Sequence, residues 1–283
     1  MANMIIKKHI RSISLPSRSH PSTSGIDEAL NKVKTINTTK SSSESILTGL
    51  AGLEELYDCT DEFLKMCSTQ RVLSSVGSDF MEEMLDGSLR LMDICSVSRD
   101  LMVETREHAR YLQSCVRRKK VAGGGRGGGD QLDVAVSGYV KFRKNTRKET
   151  KKLLVSLKSI DGGSSSYDHD DEHLVAVIDV MRRVVSVSVV LLNSLLEFLS
   201  GRQSNIKSKL ASVLKKKKCN LEDATNELET LDSTIRGDSC SRDDLQGKLE
   251  EVEMSIGGFE KNLEGLFRRL IRTRTSLLNI ISH

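Results

Sequence analysis

This sequence predicts an all-α protein, an elongated bundle of long antiparallel helices behind a disordered basic N-terminal arm, on three observations. Both prolines, Pro16 and Pro21, stand in that arm, so every later helix runs without a proline break. Apolar residues in several long segments recur at alternating steps of four and three, which keeps one helical stripe against a partner. Glycine- and serine-rich breakers fall between those segments rather than inside them. With 4 Tyr, 6 Phe and no Trp in 283 residues, an all-β sandwich lacks the rings it needs.

Residues 1–24 are Ser-rich and free of acid, carrying Lys7, Lys8, Arg11 and Arg18. Such a composition cannot bury a core and predicts a disordered Ser/Arg-rich arm. The remainder, 25–283, reads as a single helical-bundle domain with flexible linkers at 117–130 and 161–169. A first helix begins after Ser24 and places Ile26, Leu30, Val33 and Ile36 on one face. Ser41-Ser42-Ser43-Glu44 reads as a capping box, the hydroxyl at position 41 serving the amide at 44. The helix it opens repeats at Ile46, Leu50, Leu53, Tyr57, Thr60, Leu64 and Cys67.

From Ser78 a longer helix alternates at Phe80, Met84, Gly87, Leu91, Ile94, Ser98, Leu101, Thr105, His108, Leu112 and Cys115. A second stripe beside it, at Leu85, Met92, Cys95, Met102, Ala109 and Val116, widens the face enough for two neighbours. Gly123–Gly129, broken only by Arg126, is the clearest linker, and Asp130 can cap the helix that follows to about Ile160. Another helix spans about Asp170 to Leu199. Its run Val184 to Leu199 is interrupted by Ser186, Ser188, Asn193, Ser194 and Glu197 and falls short of the roughly 20 apolar residues a bilayer requires, so it predicts a buried bundle helix. After Gly201 a helical region restarts near Asn220 and closes at Gly237. The last helix opens at Ser241 and alternates from Leu245 through Leu249, Val252, Ile256, Phe259, Leu263, Leu266, Leu270, Thr273 and Leu277 to Ile280. A stripe of that length, coiled-coil in character, wants partners along all of it.

Charge is nearly balanced, 43 basic against 39 acidic residues, but unevenly spread. Arg117 to Ile160 carries a local balance of +10, whereas Leu221 to Asp232 has five acids and no base. Complementary faces of one fold explain such asymmetry more simply than nucleic acid does. The six cysteines form no C-x-x-C pair and no apolar leader precedes them, which predicts reduced thiols, mostly in the core.

Four blocks carry a family resemblance: Arg11-Ser12-Ile13-Ser14-Leu15-Pro16-Ser17-Arg18-Ser19-His20-Pro21, Gly52-Leu53-Glu54-Glu55-Leu56-Tyr57, Leu85 through Cys95, and Leu266 through His283. Together they resemble a plant-specific family catalogued as domain of unknown function 241, related to BYPASS-type proteins. The resemblance implies an all-helical, non-enzymatic protein linked to root and shoot development through control of a mobile signal, with no ligand residues to carry over.

Three constellations bear on chemistry. His169-Asp170-Asp171-Glu172-His173 matches a bare zinc-peptidase spacing, yet acids at a helix start are ordinary dipole complementation. No metal and no cofactor are expected. Lys141, Arg143, Lys144, Arg147, Lys148, Lys151 and Lys152 crowd one helix whose apolar positions are Tyr139, Val140, Leu153, Leu154, Leu157 and Ile160. This is a candidate anionic-surface patch, suited to a membrane surface and less to nucleic acid, since Tyr139 and Phe142 are its only rings. In the arm, Arg11, Ser14 and Pro16 resemble a basophilic-kinase site and a phosphoserine-docking motif of 14-3-3 type. The expectation is a protein-interaction or regulatory protein, cytoplasmic or, through its N-terminal segment, sent to a plastid or other organelle.

Overall fold

The computed structural model describes residues 24–36, 42–121, 128–160, 172–201, 226–236 and 242–282. Among the described residues the chain forms eight helices and no strand: α1 (Ser24–Ile36), α2 (Ser43–Lys65), α3 (Cys67–Ser75), α4 (Ser78–Val121), α5 (Gly128–Lys158), α6 (Glu172–Ser200), α7 (Glu227–Arg236) and α8 (Arg242–Ser282). One continuous apolar core joins all eight.

The longest helices, α4 and α8, form the most extensive pair and run antiparallel. Their stripes meet as expected, with Leu91, Ile94, Leu101 and Leu112 of α4 and Val252, Ile256, Phe259, Leu263 and Leu266 of α8 buried. A ladder flanks this seam: Arg99–Glu264 (3.7 Å), Arg106–Glu260 (2.7 Å), Arg110–Glu253 (2.6 Å) and Arg117–Glu250 (3.5 Å). The arginines step by seven, four and seven residues, so they stay beside the apolar stripe throughout. Burial raises the Glu260 carboxyl above its ordinary value, opposed by Arg106, Arg110 and Arg99.

Helix α2 lies on the other side of α8 and parallel to it. Asn262 donates to the Leu47 carbonyl (3.0 Å), Arg269 spans Glu54 (2.6 Å) and Asp58 (2.8 Å), and Ser276 donates to Asp61 (2.8 Å). Helix α6 packs against α1, α2 and α5, and Val184, Val187, Leu191, Leu192, Leu195, Leu196 and Leu199 are all buried, as the apolar run predicts. Its close approach to α2 depends on Gly49, where an added Cβ would overlap the Leu191 side chain. Tyr57 and Ser188 share a buried hydrogen bond of 3.0 Å across this contact. Among the described residues no helix is long and apolar enough to cross a membrane.

Local details depart from the sequence reading. The N-cap of α2 is Ser42, which accepts from the Ser45 amide at 3.2 Å, one residue later than expected; residue 41 lies outside the described residues. Met66, extended at φ −66° and ψ 130°, ends α2, so Cys67 opens a separate helix and is exposed instead of closing the α2 stripe. Helix α3 itself has too short a period, buried only at Thr69, Val72 and Leu73, to stand out from sequence. Helix persists through Val121 and resumes at Gly128, so both ends of the segment 117–130 are helical and Asp130 sits inside the first turn of α5. Of the described cysteines, Cys95 and Cys115 are buried, Cys59 is partly buried and Cys67 exposed. Burial pushes the Cys95 thiol up to about 12.

Phe259→Ala removes a fully buried ring that packs on Phe198 at 4.8 Å between centroids, and should cost about 3–5 kcal/mol. On the same helix Met254→Ala, at a position 75% exposed, should change stability by less than about 0.5 kcal/mol. Urea unfolding of both variants checks the contrast.

Candidate functional site

Helix α5 carries the basic cluster singled out from sequence, and the structure divides that cluster in two. Lys141, Lys144, Lys148, Lys151 and Lys152 are exposed. Arg143 and Arg147 turn the other way: the Arg143 side chain is only 2% exposed and that of Arg147 24%. These two arginines are therefore structural and do not belong to the surface patch. The apolar assignment also changes at one position, since Val140 is 46% exposed among the lysines, whereas Tyr139 and Leu157 are buried.

The arginines point at Asp232 of α7, itself 6% exposed. Arg143 Nε donates to Asp232 Oδ1 at 3.1 Å and its Nη2 to Oδ2 at 3.1 Å, a forked pairing that suits a planar guanidinium. Arg147 Nη2 adds a bond of 2.6 Å to Oδ2, and the Tyr139 hydroxyl donates to Oδ1 at 3.0 Å. Burial raises the Tyr139 phenol far above its ordinary value, so it remains a donor. One acid of the acidic segment noted in the sequence, Asp232, is thus paired with two bases of the basic segment within one fold.

The same arginines close the end of α6. Arg143 Nη1 donates to the Leu199 carbonyl (2.9 Å), Arg147 Nε to the Ser200 carbonyl (2.9 Å) and Asn226 Nδ2 to the Phe198 carbonyl (3.1 Å). Helix C-termini leave carbonyls unpaired and carry partial negative charge, so cations placed there satisfy both needs. Gly201, at φ +66°, turns the chain out of α6 in the left-handed conformation that glycine adopts without strain. Asn226 also caps α7, its Oδ1 accepting from the Glu229 amide at 2.8 Å.

Outside, the exposed face of α5 combines the five lysines and Lys158 with Val134, Val140 and Val155, which are 66%, 46% and 71% exposed. Phe142 is buried and stacks on His108 of α4 at 4.4 Å, so neither ring of this helix reaches the surface. Elsewhere an open groove of about 1020 Å³ runs beside the α4–α8 seam, lined by Glu54, Arg99, Glu104, Glu107, Glu260 and Lys261. Part of its charged wall is made by the interhelical pairs already described, through Glu54, Arg99, Glu260 and Glu264. Glu172 opens α6 with His173 beside it, while residues 169–171 of the zinc-peptidase spacing lie outside the described residues. Among the described residues no three His, Cys, Asp or Glu side chains are grouped to hold a metal. Arg11, Ser14 and Pro16 also lie outside the described residues.

Asp232→Asn leaves two guanidiniums without their counter-charge in a buried site and should destabilise the protein by about 3–5 kcal/mol. Pairing Arg143→Met with Asp232→Leu should recover part of that loss, so a double-mutant cycle read by thermal unfolding should show coupling of at least about 1 kcal/mol.

No curated protein and no solved structure matches the chain. A family model described as Protein BPS1 matches residues 49–280, from the first buried turns of α2 to the end of α8. The chain therefore belongs to the BPS1 family, the BYPASS-related plant family formerly labelled domain of unknown function 241.

Proposed function

We propose that this protein is a non-enzymatic helical interaction protein acting in root and shoot development, with the lysine face of α5 as its working surface. The developmental role comes from the BYPASS-type resemblance. The surface assignment is carried by one observation: α5 sends both arginines into the bundle and leaves its lysines outside, interleaved with exposed valines. Val134 and Val155, 66% and 71% exposed, give the charged face an apolar component, the combination that an interfacial helix presents.

The non-enzymatic reading is supported by how the buried polar groups are used. Asp232 is held by two guanidiniums and a phenol, Tyr57 pairs with Ser188, and burial disfavours the Cys95 thiolate, so none of these is poised as a base or nucleophile. The proposed compartment is the cytoplasm, and a Ser14-phosphorylated arm read by a phosphoserine-binding protein is a second route to partners.

In a plant lacking the gene, the wild-type chain should restore root and shoot growth. The triple variant Lys144→Glu, Lys148→Glu, Lys151→Glu should restore little of it at equal protein level. Full restoration by the triple variant would remove the α5 face from the function.

A further inference from the structure

We propose that the lysine face of α5 docks the folded bundle onto an anionic phospholipid bilayer, an inference that rests on reading that face as the working surface. Lys141, Lys144, Lys148, Lys151, Lys152 and Lys158 are all exposed. At 100° and 1.5 Å per residue they fall within about 120° of the helix circumference and along about 26 Å of its axis. Val134, Val140 and Val155 occupy the same sector and are exposed too. A bilayer interface accepts both components at once. Headgroup phosphates attract the ammonium groups, and the valine methyls enter the boundary with the acyl chains.

Nucleic acid fits this face poorly. Stacking on bases needs exposed rings, and the only two on α5 are buried, Phe142 against His108 and Tyr139 against Asp232. Forked recognition of phosphates needs arginine, and both arginines of α5 are committed to Asp232 and to the last carbonyls of α6. What remains is a row of point charges on a helix locked in place by its neighbours. A fluid surface of one charge sign requires nothing more specific, whereas a folded protein partner would require a fixed pattern of complementary groups. Two acids temper the face without reversing it: Asp133 at one end, and Glu149, which pairs with Lys152 at 2.8 Å.

The full chain should be floated with vesicles of phosphatidylcholine alone and of phosphatidylcholine mixed with phosphatidylserine, at low and at physiological salt. Binding is expected only to the mixed vesicles, and to weaken with salt. The variant Lys144→Glu, Lys148→Glu, Lys151→Glu should bind them at least about 100-fold more weakly, at roughly five-fold per lysine. Its thermal unfolding should match the wild type, because none of the three side chains is buried. Indifference to phosphatidylserine at low salt, equal binding by the triple variant, or tighter binding to a double-stranded RNA fragment than to the vesicles would each overturn the lipid assignment. Lost growth rescue by the triple variant, together with absent vesicle binding, would keep the α5 face as the working surface and dismiss only the bilayer.

Discussion

The carboxylate of Asp232 between Arg143 and Arg147 is the contact through which three helices are joined. Without it, α5 would bury two positive charges beside the end of α6, and α7 would be held mainly from its other side, by Leu228, Leu231 and Ile235 in the core and by the bonds Glu227 accepts from Ser43 and Ser255. Buried charge is tolerated when it is paired and every remaining donor finds an acceptor. The charge is paired, and two nitrogens that Asp232 does not engage, Arg143 Nη1 and Arg147 Nε, donate to the Leu199 and Ser200 carbonyls. Lysine could not take this position: it has no fork to span a carboxylate and a helix end together. The bundle therefore sorts the basic residues of α5 by chemistry, with guanidiniums inside and ammonium groups outside.

Around that junction the frame follows ordinary bundle physics. The α4–α8 pair buries a long apolar seam and sets arginines against glutamates at its rim. The exposed pairs among them, such as Arg117–Glu250, add little stability each, but alignment of the whole ladder in one register makes other registers costly. On the opposite flank of α8, Arg269, Asn262 and Ser276 tie α2 alongside at matching heights. Small residues decide how close the helices come, most plainly Gly49 under Leu191.

Much of this was legible in the sequence because the stripes on α4 and α8 are long and regular. Ile46 through Leu64, Phe80 through Cys115 and Leu249 through Ile280 occupy the core nearly position for position, apart from half-buried His108. Short or local features were not legible. The break at Met66 rests on two dihedral angles at a residue with good helix propensity, and the run of serines at 41–43 offers more than one cap. Arg143 and Arg147 were hidden by counting charge along the chain instead of around the helix. Tyr139, Arg143, Thr146 and Thr150 share the buried face, while the lysines sit on the opposite side. Sorting by angle would have separated Arg143 from the lysines. Asp232 as its partner lies 89 residues away, and no local pattern announces a contact at that distance.

The α5 junction thus has two consequences that stand or fall together: α7 is part of the bundle, and the lysine face is held rigid and outward. Native-state hydrogen exchange followed by mass spectrometry tests the first most directly. Amides of α7 and of the last turn of α6 should be protected together, and both should lose protection in Asp232→Asn while the centre of the α4–α8 seam keeps its own. Exchange of α7 at the rate of an unstructured peptide in the wild-type protein, or loss of protection in the variant confined to α7 with the end of α6 unaffected, would contradict the account.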